Sequence, residues 1–302
     1  MEKILINAGC FVAVILLGII LRRIGFFKEE DFPVLSKIAL KITLPAAVVV
    51  SFSQASWDVS MLYISLIGIV CGVVYIAIGY LINLRADREQ RAFDVLNLPG
   101  YNIGLFAMPF ISGFLGPMGV VTTSLFDTGN AVICLGGSYG VAEGIKVGGR
   151  FSVWRIVKAL ITSVPFLAYV FMIILRLLNL HLPGPVLQFA DVIRGASTFV
   201  AMLMIGVGFK ITVNKKQIGQ ILKVVLIRYG VAAVFALLFW NFLPFAQEVK
   251  TALVLLVFAP IGAATPAFTG QLKGDVGLSS AINSICIVCS IVIMTTLLTV
   301  LL

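Results

Sequence analysis

The chain has 302 residues, of which 60% are hydrophobic and only 12% are charged, and its mean hydropathy is +1.11. A soluble protein of this length needs more charge on its surface, so the composition excludes a soluble fold and predicts an all-α polytopic membrane protein in the lipid bilayer. The formal net charge of +9 does not indicate nucleic-acid binding, because the basic residues lie in short loops between apolar stretches.

Apolar stretches long enough to cross a bilayer predict ten transmembrane helices. In chain order they are 4–21, 33–53, 61–83, 95–115, 118–142, 154–178, 189–209, 218–242, 249–270 and 277–301. Basic residues concentrate in the loops after odd-numbered spans, and they include Arg22, Arg23, Arg85, Arg88, Arg91, Lys146, Arg150, Lys210, Lys215 and Lys216. The positive-inside rule therefore predicts that the odd loops are cytoplasmic and that both termini lie outside.

Two of the ten stretches are interrupted by proline and glycine. The fourth contains Leu98-Pro99-Gly100-Tyr101-Asn102 and then Pro109, and the ninth contains Ala259-Pro260 and then Thr265-Pro266. Five spans in each half require that the second half (151–302) is inverted in the membrane relative to the first (1–150). Paired interrupted spans at corresponding positions of inverted repeats predict the binding site of a secondary transporter.

Each interruption leaves two half-helix ends near the middle of the membrane. The N-terminal ends carry partial positive charge and free N–H groups, which suit a carboxylate. The predicted organic-anion site is formed by residues at and around the two breaks: Tyr101, Asn102, Gly104, Pro109, Asn130, Pro260, Thr265 and Asn283. The alternative is that the prolines make ordinary packing kinks, and that Asn130 and Asn283 form interhelical hydrogen bonds.

Asp127 is the one acidic residue that this assignment places deep in the membrane, near the middle of span five. A buried ionisable group is costly there and predicts a function, such as binding a coupling proton or cation. The alternative is a structural counter-charge to the positive half-helix ends. For Arg228, within span eight, a snorkelling or paired arginine is the favoured interpretation, and the alternative is a residue that draws an anion inward.

The chain resembles the auxin efflux carrier family, which includes the plant PIN-formed carriers and bacterial permeases for malate and malonate. The matching segments span essentially the whole chain: Leu21-Arg-Arg-Ile-Gly25, Leu44-Pro45-Ala46, Asn102-x-Gly104 with Pro109 and Gly116, Ala259-Pro260, and Gly274-Asp275. Two features depart from the family pattern. Val200 stands where many members have a proline, and the loop after span five is short, which favours a form from the bacterial cytoplasmic membrane.

The resemblance implies a fold related to bile-acid/sodium symporters and sodium/proton antiporters, in which spans four and nine cross at their prolines. It also implies a scaffold of spans one, two, six and seven, often dimeric, and a moving transport domain of spans three to five and eight to ten. The expected function is an elevator-type secondary transporter of small organic anions, such as malate, malonate or auxin-like acids, with H⁺ or Na⁺ as possible coupling ions. The alternative is a sodium-coupled organic-anion symporter of the bile-acid type.

Other classes of function find less support in the sequence. An intramembrane enzyme would need a catalytic motif such as HExxH, paired intramembrane aspartates or GxSxG, and none occurs. An ion channel would need a repeated selectivity filter, and a membrane scaffold protein would not need the interrupted spans. With one histidine and no close carboxylate pair, no metal site and no cofactor are expected.

Overall fold

The computed structural model describes residues 2–148, 151–209 and 217–301, and these residues form helices joined by short connections, with no strand among them. The helices are α1 Glu2–Arg23, α2 Phe32–Gln54, α3 Val59–Leu81, α4 Arg88–Asn97, α5 Ile103–Val147, α6 Val153–Thr162, α7 Val164–Leu177, α8 Gly184–Gly208, α9 Ile218–Phe242, α10 Gln247–Val257, α11 Thr265–Gln271 and α12 Val276–Leu301. Among the predicted loop cations, Arg150, Lys210, Lys215 and Lys216 lie outside the described residues.

Seven of the described helices are long and apolar enough to cross a membrane: α1, α2, α3, α5, α8, α9 and α12. The number becomes eight if α6 and α7, which meet at an angle of 80°, form one span. Large apolar side chains on the outer faces of these helices are exposed, among them Leu16, Leu226 and Val292, as expected for surfaces that contact lipid. These features agree with a polytopic helical membrane protein, whereas the ten spans and their inverted repeat stay predictions.

Both interrupted stretches are broken in the structure. The first stops at Asn97, the end of α4, and becomes helical again at Ile103; the second stops at Val257, the end of α10, and resumes at Thr265. Leu98 before Pro99 keeps helical angles (φ −83°, ψ −47°) and the chain turns at Gly100, which has φ 77°, while each proline lacks the N–H that a continued helix would use. The breaks therefore follow directly from the local sequence.

Proline does not always break a helix in this fold. Pro109 and Pro45 each follow a wide, π-helical turn, at Ile103–Ala107 and Ala39–Thr43 respectively, and the helix then continues. Such turns accommodate the missing backbone donor. The break in the fourth stretch thus lies at residues 98–102 and not at Pro109, which corrects the expectation that Pro109 marks the crossing.

Helix α5 covers the second part of predicted span four and all of span five, divided by Gly116. This residue has φ 58° and ψ −157°, which lie outside the helical region, and Pro117 follows it. Side chains other than glycine rarely adopt this positive φ. Gly116 therefore allows the sharp change of direction that separates the two parts of α5.

Predicted span six is also broken, which the sequence interpretation did not anticipate. At the junction of α6 and α7, Ser163 has an extended conformation (φ −84°, ψ 109°), and Pro165 occupies the first turn of α7. A proline in a first helical turn begins a new helix more readily than it continues an old one. The bend turns the start of α7 towards the centre of the molecule, where it contributes to the candidate site.

Close backbone approach holds α3 against α5. A Cβ atom at Gly129 would overlap the carbonyl oxygen of Ser65, and one at Gly68 would overlap that of Phe126. Small residues that let backbones approach are characteristic of helix packing in membranes, where the hydrophobic effect does not drive helices together. Helix α10 is enclosed by neighbouring helices, with buried residues from Thr251 to Val257, and it carries the second break into the interior.

Candidate functional site

The two breaks meet inside the protein. The backbone N–H of Asn102 donates to the carbonyl oxygen of Pro260 over 2.9 Å. Both residues belong to interrupted stretches in which the helical hydrogen-bond ladder is missing, so this bond satisfies backbone groups that would otherwise be unpaired in an apolar interior. The contact brings the two halves of the sequence together at one point.

Arg228 of α9 lies at this meeting point and is fully buried. Its guanidinium donates to four backbone carbonyl oxygens, two from each break, over 2.6–3.1 Å: Leu98, Gly100, Ala259 and Pro260. Within the described ranges Arg228 forms no ion pair with a carboxylate. The interpretation of Arg228 as a snorkelling or paired arginine is therefore wrong.

Two aromatic rings complete the surroundings of Arg228. The guanidinium carbon lies 4.9 Å from the ring centroid of Tyr101 and 5.5 Å from that of Tyr75. The hydroxyl of Tyr75 donates to the backbone carbonyl of Arg228 over 2.7 Å. Cation–π attraction is stronger at a desolvated site, so the rings and the four carbonyl oxygens together compensate for burying this charge.

A cavity of about 190 Å³ lies beside the meeting point. Its wall on one side comes from α5, from Tyr101 and Asn102, and from the segment 262–264 in the second break. Its wall on the other side comes from α2 and from the bend between α6 and α7, including Leu40, Ser163 and Phe166. The cavity thus separates helices predicted to belong to the transport domain from helices predicted to belong to the scaffold.

Three wide helical turns face this cavity. They are Ala39–Thr43 of α2, which contributes Leu40, and two turns of α5, Ile103–Ala107 and Ile133–Gly137. Turns of this kind are rare and occur frequently at functional sites, because they change the direction of side chains and leave backbone groups available. Their convergence distinguishes this cavity from a simple packing defect.

Asp127 of α5 lines the cavity and is half-buried. Its two carboxylate oxygens accept hydrogen bonds from different elements: Oδ1 from Nδ2 of Asn130 over 2.8 Å, and Oδ2 from the hydroxyl of Tyr169 over 3.0 Å. Asn130 lies on the same helix, whereas Tyr169 lies on α7 across the cavity. The carboxylate therefore bridges the two walls.

Asn130 connects Asp127 to the first break. Its amide group pairs with the backbone of Tyr101 in both directions, because Oδ1 accepts from the N–H over 3.0 Å and Nδ2 donates to the carbonyl oxygen over 3.0 Å. The side-chain amide thus replaces hydrogen bonds that an uninterrupted helix would supply. A continuous chain of contacts leads from Asp127 through Asn130 and Tyr101 to the ring face beside Arg228.

The cavity brings together five of the nine predicted site residues: Tyr101, Asn102, Gly104, Asp127 and Asn130. The other four do not line it. Pro260 borders it through its bond to Asn102, Thr265 begins α11, and Pro109 lies further along α5. Asn283 is half-buried on α12, and its side-chain oxygen has no partner among the described groups, so the structure does not place it opposite Asn130 in the cavity.

Sequence reasoning missed Tyr169 and misread Arg228. Tyr169 follows the Ser163–Pro165 bend by one helical turn, so a third proline break in an apolar stretch was the available signal. Arg228 carried a clearer signal, since an arginine in the middle of an apolar span has a functional interpretation by default.

A second, larger cavity of about 470 Å³ adjoins the first and shares four lining residues with it: Leu40, Leu135, Ser163 and Pro165. Its walls include two cations, Lys41 and Arg155. The charge-based topology places both residues towards the cytoplasmic side. The candidate site therefore adjoins a wider vestibule lined by Lys41 and by Arg155, which pairs with Glu143 over 2.7 Å.

No protein-family model matches the chain. The chain is similar to a protein of Methanothermobacter thermautotrophicus named "uncharacterized transporter", with 25% identity over 201 residues. The match covers 65% of this chain and 64% of that relative, so just under two thirds of the relative's length is represented.

Proposed function

We propose that the protein is a secondary transporter that moves small organic anions across the membrane by alternating access, as a member of the auxin efflux carrier family. The observation that carries this proposal is the meeting of the two breaks at Asn102 and Pro260, beside a cavity that separates two groups of helices. The similarity to a relative named as a transporter supports it, and so do the family resemblance and the apolar helices.

An organic anion suits the chemistry of the cavity. The N-terminal turn of α5, Ile103–Leu105, lines it and carries the partial positive charge of a helix N-terminus. The buried guanidinium of Arg228 adds a full positive charge behind the first break. The vestibule residue Lys41 attracts anions towards this site, whereas the charge of Arg155 is offset by its ion pair with Glu143. A carboxylate substrate such as malate or malonate satisfies these features.

Asp127 opposes an anion in the same cavity as long as its carboxylate is ionised, because like charges repel in a medium of low dielectric constant. Neutralising Asp127 removes that repulsion. We therefore assign Asp127 the role of the coupling group, which takes up a positive ion when the anion binds and releases it on the other side. This gives a physical reason for an acidic residue at an anion site.

Alternating access requires that the cavity walls move relative to each other. We assign α1, α2 and α6–α8 to a scaffold and α3–α5 and α9–α12 to a moving group, following the family resemblance. The polar side-chain contacts that join these groups include Tyr169 with Asp127, Ser112 with Thr198, and Arg155 of α6 with Glu143 of α5. The first two are hydrogen bonds of hydroxyl groups and the third is a partly exposed ion pair, and such contacts can break and reform during a transport cycle.

The test is electrical measurement on solid-supported membranes with purified protein in liposomes. Malate, malonate, further carboxylates and indole-3-acetate are applied in turn, while pH and sodium are varied separately. We expect a saturable current with one class of anion that Asn102→Ala abolishes. Asn241→Ala is the matched control, because Asn241 is exposed near the end of α9 and its side-chain amide donates to the Leu237 carbonyl within its own helix, and we expect it to behave as the wild type.

Electroneutral transport would give no current, so uptake of the same radiolabelled anions is measured in parallel. Absence of both current and uptake for every anion, with folded protein, would contradict an organic-anion transporter. An effect of Asn241→Ala equal to that of Asn102→Ala would contradict the location of the site.

A further inference from the structure

The four carbonyl oxygens that meet at the crossing are the groups that unwound membrane helices offer to a cation. Backbone carbonyls released at helix breaks coordinate coupling sodium ions in transporters of this architecture. Here the carbonyls of Leu98 and Gly100 come from the first break, and those of Ala259 and Pro260 from the second. All four converge on one positively charged group, the guanidinium of Arg228.

We propose that Arg228 is a resident cation that occupies the carbonyl cage of the crossing in place of a coupling sodium ion, so that transport is independent of sodium. This inference rests on the proposed transport function. It identifies the group that supplies the positive charge at the transport site. The guanidinium is covalently part of α9, so its positive charge stays at the crossing through the whole cycle. A bound sodium ion would instead arrive and leave with the substrate.

The hydrogen bonds leave little for a second cation to bind. The guanidinium contacts all four carbonyl oxygens over 2.6–3.1 Å, with Nη1 donating to Leu98 and the two hydrogens of Nη2 shared among the other three. Its positive charge repels another cation at short range in this buried setting. The aromatic faces of Tyr75 and Tyr101 close two further sides of the cage.

Asp127 does not offer an alternative sodium site of the usual kind. Sodium requires several oxygen ligands, whereas Asp127 is the one carboxylate among the described residues that line the cavity, and hydrogen bonds from Asn130 and Tyr169 occupy one lone pair on each of its oxygens. No cluster of three or more acidic, histidine or cysteine residues occurs in the part of the chain that the structure describes. The remaining small coupling ion is a proton, which a carboxylate takes up alone without any other ligand.

The charge balance of the site follows from these two residues. With Asp127 ionised, the carboxylate offsets the charge of Arg228 and the site is neutral overall. With Asp127 protonated, Arg228 leaves one net positive charge at the site, which favours binding of an anion. A fixed arginine and one titrating carboxylate thus provide anion binding that depends on a proton and needs no metal ion.

The first experiment measures thermal melting of the purified wild-type protein in detergent, with sodium chloride replaced stepwise by choline chloride at constant ionic strength. We expect the melting temperature to be the same in both salts. The second measures initial rates of uptake of whichever carboxylate gives a signal, in sodium and in choline buffers at one pH, and we expect equal rates. Stabilisation or faster uptake that rises to saturation with sodium would overturn the proposal.

Variants test the cage directly. Arg228→Ala leaves four buried carbonyl oxygens without a donor, and we expect it to melt lower than the wild type by about 5 °C or more. Low-millimolar guanidinium ion is expected to restore part of this loss. Arg194→Ala is the matched control, because Arg194 pairs with Asp191 over 2.6 Å at a partly exposed site, and guanidinium is expected to leave its melting temperature unchanged.

The outcomes separate the two proposals. Arg228→Ala that gains no stability from guanidinium would overturn the resident-cation role, and so would a variant with wild-type stability. If Arg228→Ala does not fold, the sodium comparison on the wild type still decides the question. Absence of anion transport would contradict the proposed function, whereas sodium-driven transport would leave that function standing and contradict this inference alone.

Discussion

The hydroxyl of Tyr169 donates a hydrogen bond to Oδ2 of Asp127 over 3.0 Å, and this bond joins α7 to α5 across the candidate site. Both residues line the cavity. The acidic group proposed to couple the cycle is therefore also a contact between the two groups of helices proposed to move. We therefore expect protonation of Asp127 and movement of the helices to be linked through this contact.

Replacing Asp127 by asparagine removes the titrating group while keeping a side chain of similar size. We expect Asp127→Asn to lose accumulation driven by a proton gradient by about tenfold or more, since the amide cannot carry a proton across. The remaining exchange of anion is expected to be independent of pH. Radiolabelled uptake into liposomes at several pH values measures both effects.

Asp191→Asn is the control for that substitution, because Asp191 is exposed and pairs with Arg194 on α8. It is expected to keep the pH dependence of the wild type. Unchanged transport and unchanged pH dependence in Asp127→Asn would refute the coupling role and leave Asp127 as a structural counter-charge.

Tyr169→Phe removes one hydroxyl and retains a ring that is fully buried. Because a hydrogen bond to a charged group contributes about 1.5–3 kcal/mol, we expect a lower melting temperature and a shift of the pH profile of uptake to higher pH. The sign of the pH shift follows from the bond, which stabilises the ionised carboxylate. A pH profile identical to that of the wild type would show that the Tyr169 hydroxyl does not tune Asp127.

The close approach of α3 and α5 predicts that Gly129→Ala destabilises the protein. The added methyl group would overlap the carbonyl oxygen of Ser65, and such overpacking typically costs about 1–3 kcal/mol. Gly230→Ala is the matched control, since a Cβ atom there would have no heavy atom within 4 Å. Thermal melting should show a loss for Gly129→Ala and no loss for Gly230→Ala; equal melting temperatures would refute the tight packing.

Asp94 is a second position at which we expect a substitution to destabilise the protein strongly. Its fully buried carboxylate accepts from Asn83 and Lys223 at one oxygen and from Gln90 and Gln220 at the other, over 2.6–3.1 Å. Asp94→Asn would turn an amide donor towards existing donors, and breaking such a buried pair costs about 3–5 kcal/mol.

The comparison for Asp94→Asn is Glu89→Gln. Glu89 is 67% exposed and pairs with Lys146, and an exposed ion pair of this kind contributes less than about 1 kcal/mol. Chemical or thermal denaturation in detergent should therefore show that Asp94→Asn is much less stable than Glu89→Gln. Similar stabilities would show that the Asp94 network does not hold α3, α4 and α9 together.

The breaks in the fold were predictable from the sequence because their cause is local. Proline and glycine at 99, 100 and 260 end helices through backbone chemistry that needs no knowledge of neighbours. Pro109 shows where that rule fails, because a wide turn at Ile103–Ala107 accommodates its missing N–H and the helix continues. Whether a proline breaks or only widens a membrane helix depends on the surrounding packing.

The environment of Arg228 was not predictable, because hydropathy does not tell which side of a helix faces lipid. The carbonyls that it binds lie 31 to 130 residues away in the chain. Tyr169 presents the same difficulty, since its partner Asp127 is 42 residues distant. Asp127 itself was identified because a carboxylate in an apolar span is unusual whatever its neighbours are.

The most direct measurement of alternating access is anion uptake after cross-linking Ser112→Cys with Thr198→Cys in a background without native cysteines. The hydroxyl oxygens of Ser112 and Thr198 lie 3.4 Å apart and connect α5 with α8, one from each group of helices. The account predicts that oxidation stops uptake, that reduction restores it, and that oxidation leaves either single variant active. Undiminished uptake by fully cross-linked protein would contradict a cycle in which these helices move past each other.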